Sequence, residues 1–303
     1  MGVILTKKPN LEKPDLIACW PGIGNIGIIA VNTLRGQVDA NELGEIESWD
    51  FFYPKKAIVT SGVLEDLDFP FNKFYYKVLQ KKDLLFFVGE EQPTEGERVY
   101  AEGRKAYRMA NLVLDVAEQF GCRRVYTSGA AVSFTHHELE PRVWVVTSKE
   151  SLTREIKAFD NTILMSDIEG KSERGSITGL NGLLLGLAKK RGFDAVCLMG
   201  EIPDYLSGVP FPYPKASKSV LELFGKILGI DIDYSPLDQM SNQVDEIIEG
   251  IYEKLPFEIK EKIEQRRMLS IPKKEIITEE DEKWLKEHLD ELFKRSKGDD
   301  KLS

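Results

Sequence analysis

His136, His137 and Glu138 stand side by side, and two imidazoles next to a carboxylate are donors that a divalent metal takes. The spacing argues against it. Adjacent side chains leave a strand or loop on different sides, and no His-Glu-x-x-His frame is present. A solvated loop is the expectation, and no metal is assigned. Glu169-Gly170-Lys171-Ser172 has the closing residues of a phosphate-binding loop, but Met165 stands where that motif needs its first glycine, and no strand runs straight into a helix there. Glu65, Asp66 and Asp68 read as a solvated strand edge rather than as paired catalytic carboxylates. No Gly-x-Ser-x-Gly is present, so a nucleophile elbow is excluded. The three cysteines, Cys19, Cys122 and Cys197, lie far apart without a Cys-x-x-Cys. They read as small buried residues, and an odd number of thiols fits a reducing cytoplasm. No catalytic residue and no cofactor are assigned.

The strongest local signal is Trp20-Pro21-Gly22-Ile23-Gly24-Asn25-Ile26-Gly27. Its glycines form Gly-x-Gly-x-x-Gly between the apolar run 16–19, read as a buried strand, and a helix expected to end at Gly36. Glycines permit a sharp turn with positive φ, and the N–H groups opening a helix can hold an anion. A dinucleotide site also needs an acidic residue about 20 positions on, at the end of the next strand. Glu45, Glu47 and Asp50 are in range, but acidic residues are common here, and a structural turn is the favoured reading.

Ligands of an open parallel sheet bind where loops leave the carboxyl ends of the strands. Those loops are Pro21–Gly27, Ser128–Ser133 and Gly200–Pro210. The candidate ligand cleft is therefore Gly22, Gly24, Asn25, Gly27, Ser128, Gly129, Gly200 and Glu201, with Ser166–Ser176 as its cover.

The elements that must position these residues alternate along the chain. Apolar runs at 84–88, 124–127, 143–147 and 194–200 read as strands, and 95–120, 150–159 and 178–192 as helices. Gly179, Gly182 and Gly186 share one helical face, which suggests close packing on a sheet. Segments 63–70 and 74–79 read as the two arms of an exposed, aromatic-rich β excursion. The alternation predicts an α/β fold: a three-layer sandwich with a mainly parallel central sheet. Residues 237–303 differ. They read as a helical extension, broken at Pro256 and ending in a disordered tail, beyond a core domain of residues 1–236. A self-packed arm is favoured over one that contacts another subunit.

With 303 residues, 42% hydrophobic and 30% charged, the chain has the composition of a soluble globular protein. Its net charge of −9 disfavours nucleic acid as a partner. No apolar run is long enough to span a membrane, and residues 1–10 do not read as a secretory signal.

Three stretches taken together resemble the proteasome assembly chaperone 2 family: 21–27, Gly175-Ser176-Ile177-Thr178-Gly179-Leu180-Asn181-Gly182-Leu183-Leu184-Leu185-Gly186, and Cys197-Leu198-Met199-Gly200-Glu201-Ile202-Pro203-Asp204-Tyr205-Leu206. Pro210-Phe211-Pro212 and Leu228–Asp233 support the match, which spans residues 10 to 245. The resemblance implies a phosphorylase-like α/β fold and a homo-oligomer. It also implies a protein-binding scaffold or assembly chaperone without enzymatic activity, with proteasome α-subunits as the partner class. Phe69, Phe71, Phe74, Tyr75 and Trp284 are the expected protein-binding surface. Several proteasome-binding partners end in a hydrophobic residue, a tyrosine and one further residue. This sequence ends Lys301-Leu302-Ser303, so docking through a terminal tyrosine is not expected. The alternative is a small-molecule or nucleotide-binding protein, or a nucleoside-processing enzyme, using the Gly22–Gly27 cleft.

Overall fold

Four apolar runs become the parallel centre of a nine-stranded sheet: β7 (Leu84–Gly89), β2 (Asp15–Cys19), β8 (Arg124–Ser133) and β11 (Asp194–Pro203), in that spatial order. β2 and β7 are buried at every position, so they lack the polar alternation of a one-sided strand. Beyond β7 lie β6 (Asn72–Lys77), β3 (Asn41–Ile46) and β1 (Val3–Leu5), each antiparallel to its neighbour. Beyond β11 lie β9 (Val143–Thr147), antiparallel to β11, and β10 (Thr162–Ile163). The computed structural model describes residues 2–94, 103–164, 167 and 175–270.

Alternate residues of the central strands point to opposite faces and feed two apolar cores. Ile17, Cys19, Phe86, Tyr126 and Val196 pack with α1 (Ile26–Gln37), α3 (Glu150–Lys157), α5 (Pro214–Leu228) and α6 (Ser235–Tyr252). Leu16, Ala18, Phe87, Val125 and Cys197 pack with α2 (Gly103–Gln119) and α4 (Gly179–Lys190). The result is the expected three-layer α/β sandwich, with its parallel strands at the centre and antiparallel strands on both flanks. Leu237, Val244 and Ile248 set α6 into the first core, whereas Ile247 and Ile251 of the same stripe stay exposed.

The exposed β excursion is built from other strands than the sequence suggests. β5 (Val63–Asp68) pairs with β4 (Lys56–Thr60) as a separate two-stranded hairpin. Its two-residue turn is Ser61-Gly62, both at positive φ, the backbone a type I′ hairpin requires. Residues 74–77 belong to β6 in the main sheet. The reason is burial: Phe74 is fully enclosed, with its ring 4.8 Å from that of Phe87, and that apolar gain outweighs pairing with β5.

Met1–Ser133 and His137–Lys254 form one compact unit; Phe134–His136 belongs to a second, together with α7 (Phe257–Ser270). Within the second unit Arg266 lies 5.5 Å from the ring centre of Phe134, and His136 is 3.5 Å from Glu264.

Candidate functional site

The glycine turn sits at the carboxyl end of β2, where the parallel-sheet rule places a ligand. Gly24 and Asn25 both take left-handed backbone, φ +59° and +50°, and hand the chain to α1. Gly27 serves packing. A Cβ there would stand 2.6 Å from the carbonyl carbon of Ser128 and 2.7 Å from its oxygen, so α1 rests directly on the β8 backbone. Gly200 is similar, since a Cβ would lie 2.7 Å from Ile26 and 2.8 Å from the carbonyl oxygen of Ala216. These two glycines join helix to sheet; they do not open space for a ligand.

Two cavities flank the turn. One of about 200 Å³ is lined by Gly22, Gly129, Asn181 and Gln92, among others. One of about 590 Å³ is lined by Gly22, Gly24, Asn25, Glu90, Glu91 and Pro210–Pro212. Gln92 borders both. Its side-chain N–H donates to the carbonyl of Pro21 at 2.6 Å, and its oxygen accepts the N–H of Leu180 at 3.0 Å, satisfying an opening donor of α4. Thus a neutral amide ties the turn to α4, and two carboxylates border the larger cavity.

The other predicted cleft residues are placed elsewhere. Ser128 is buried, and its hydroxyl donates to the carbonyl of Leu198 at 2.8 Å. Glu201, 1% exposed, forms a bidentate pair with Arg142, Nη2 to Oε1 at 2.7 Å and Nε to Oε2 at 2.9 Å. Ser133 and Trp144 also donate to it, at 2.6 and 3.4 Å. Burial pushes this carboxyl up, but the Arg142 guanidinium and the hydrogen bonds to Arg142 and Ser133 outweigh it and hold the group below the ordinary glutamate range. Gly27, Ser128, Gly200 and Glu201 line neither cavity flanking the turn. Of the covering stretch Ser166–Ser176, Ser176 borders the smaller cavity, and residues 166 and 168–174 lie outside the described residues.

Gly182 approaches the carbonyl of Ile177, where a Cβ would come within 2.5 Å, and Gly179 has positive φ beside Gln92. Gly186 is exposed with nothing near it, so the expected run of three packing glycines reduces to one. All three thiols are free and buried. Burial pushes Cys122 up to about 12 and Cys197 up to about 11, and raises Cys19 as well. None is poised as a nucleophile.

The protein-binding candidates divide. Phe74 is core. Tyr75 is half-buried beneath the Arg35 guanidinium, at 4.3 Å. Phe69 is half-buried against the ring of Trp49, at 5.0 Å, and Phe71 is exposed. Trp284 lies outside the described residues. Among the described residues, other exposed apolar groups in the first unit include Trp49, Tyr53, and on the hairpin Val59, Val63 and Leu64, each more than half exposed. The Ser61-Gly62 pair between apolar runs was the available signal for that hairpin. Arg142, 59 positions from Glu201 in sequence, left no such signal.

The molecule is therefore a three-layer α/β protein in which Gly27, Gly182 and Gly200 are packing joints and a hairpin displays apolar side chains. The PAC2 family model matches residues 16–251, and the chain belongs to that family. The uncharacterized protein MJ1210 of Methanocaldococcus jannaschii is 28% identical over 256 residues, covering 82% of this chain and 88% of that one. Among solved structures, Pyrococcus furiosus PbaB, described as an archaeal proteasome activator, is 28% identical with a TM-score of 0.66; the match covers 82% of this chain and 97% of PbaB. Pyrococcus furiosus PbaA, described as an archaeal homolog of proteasome-assembly chaperone, shares the fold at 22% identity and a TM-score of 0.59, over 88% and 99% of the two chains.

Proposed function

We propose that this protein is a non-enzymatic, protein-binding scaffold of the proteasome assembly chaperone type, working as a homo-oligomer and engaging proteasome α-subunits. Membership of the PAC2 family and the likeness to PbaB support the class of role. The observation that carries the binding mode is the β4–β5 hairpin. A lone two-stranded sheet is marginal in water, yet this one displays Ile58, Val59, Val63 and Leu64 to solvent. Exposed apolar patches of this kind mark protein contact sites.

Native mass spectrometry of the chain with cognate proteasome α-subunits is the test. A complex at micromolar concentration is expected, and Val59→Ser with Leu64→Ser should weaken it at least tenfold while leaving the unfolding midpoint unchanged. No complex, or one indifferent to the hairpin, refutes the binding mode. The native mass of the chain alone reports the homo-oligomer.

A second reading rests on the larger cavity, whose volume falls in the range of small-molecule sites. A ligand at 100 times its dissociation constant stabilises the fold by about 2.7 kcal/mol. A thermal-shift screen of nucleotides and phosphorylated metabolites that stays silent removes that reading.

A further inference from the structure

The loop expected to hold solvated histidines folds otherwise. In the first compact unit His137 is 4% exposed, and its imidazole is held from both ends. Nδ1 lies 2.8 Å from the hydroxyl of Tyr205, which also accepts the His137 backbone N–H at 2.9 Å. One hydroxyl thus grips one residue at two points and sets the ring plane. The rings of Tyr205 and Tyr252, with centres 6.0 and 5.5 Å away, pack around it. So oriented, Nε2 points at α6, where the Glu249 carboxylate is 3.3 Å away. The Glu138 carboxylate completes a cluster whose three donor atoms lie within 4.8 Å of one another.

We propose that His137, Glu138 and Glu249 form a binding site for a divalent transition-metal ion of the Zn2+ class. Bonds of about 2.0–2.2 Å in a tetrahedral site set neighbouring donors about 3.3–3.6 Å apart. The His137–Glu249 pair already has that separation. Both glutamates are exposed, and their donor atoms lie within 4.8 Å of each other and of the imidazole. One imidazole and two carboxylates suit a borderline cation and leave a fourth position for water. Without an ion Nε2–H can donate to Glu249; with an ion on Nε2 the proton sits on Nδ1 and is donated to Tyr205, so both contacts serve either tautomer. Tyr205 thereby has the position of the outer-shell partner that metal-ligating histidines use. Lys215, the nearby ammonium, donates to the carbonyls of His137 at 3.2 Å and of Glu138 at 3.5 Å and fixes the loop. An ion here clasps the loop after β8 to the carboxyl-terminal turn of α6.

Titration of the full chain with Co2+, followed by visible absorption and by Zn2+ competition, tests this. One ion per chain is expected, giving the intense bands of a tetrahedral site. Glu138→Gln with Glu249→Gln should weaken binding at least tenfold, with the fold intact because both side chains are exposed. Tyr205→Phe should weaken it about 10–100-fold. Glu246→Gln, which removes one carboxylate elsewhere on α6, should leave it unchanged. No binding at 100 times the protein concentration, or binding that survives the double substitution, overturns the proposal. So does an equal loss in Glu246→Gln, which would mark a general charge effect.

Discussion

If Gly27 is a packing joint, alanine at that position and alanine at Gly36 must act in opposite directions. Both glycines lie in α1, so helix propensity favours alanine at each by about 0.5–1 kcal/mol. Gly36 is exposed near the end of the helix, and a Cβ there meets nothing within 4 Å, so the lower end of that gain is realised without a clash. At Gly27 the new carbon would sit 2.6 Å from the Ser128 carbonyl carbon, 2.7 Å from its oxygen and 2.9 Å from the Gly129 nitrogen. All three are main-chain atoms of the central strand β8 and have no rotamer to change. Ordinary contact begins at 3.4 Å, so helix and sheet must part by about 0.8 Å, and overpacking of this severity costs about 3 kcal/mol. The net loss for Gly27→Ala is therefore about 2 kcal/mol, against a gain of about 0.5 kcal/mol for Gly36→Ala. With a urea m-value of about 3 kcal/mol/M, the two midpoints move apart by about 0.8 M. Urea denaturation followed by far-UV circular dichroism measures both. A Gly27→Ala protein as stable as the parent refutes the reasoning; the same contrast is expected in α4 between Gly182 and Gly186.

Three further outcomes follow from the buried groups. Arg142→Met leaves the Glu201 carboxylate buried without its cation and should cost about 3–5 kcal/mol, read by the same denaturation. Because Glu201 is held below its ordinary value of 4.5, its contribution is complete above that pH and disappears as pH falls through the lowered value. The stability difference between the parent and Glu201→Gln should accordingly shrink on acidification from pH 6 to pH 3, and a difference that stays constant refutes the pairing. Finally, an aromatic disulfide reagent at pH 8 should modify none of Cys19, Cys122 or Cys197 until the chain is denatured, since burial raises all three thiols. A rapidly reacting thiol in the native protein contradicts that burial.

The sheet was largely legible because its signals are local. A strand covered on both faces needs an unbroken apolar run, and Leu84–Val88 and Ala195–Leu198 supply one each. The joint pattern of the three glycine-rich stretches likewise led to the family. What escaped were choices among equivalent partners. β5 carries similar propensity whether it pairs with β4 or with β6, and the enclosure of Phe74 decided it. Glu201 was legible as an acid at the end of a strand, but Arg142 turned it from a cleft residue into a buried ion pair.

By itself, then, the sequence determined the α/β class, the central strands of the sheet and the placing of the glycine turn after β2. All of these are properties of short stretches, where residue type and spacing set the backbone. Only the tertiary structure decided what the glycines are for and where the functional groups face. Gly27 touches Ser128, Glu201 meets Arg142, and His137 lies between Tyr205 and Glu249. Each of those contacts joins residues at least 59 positions apart in sequence. No local propensity encodes such a meeting, because it depends on which faces of the sheet the helices cover.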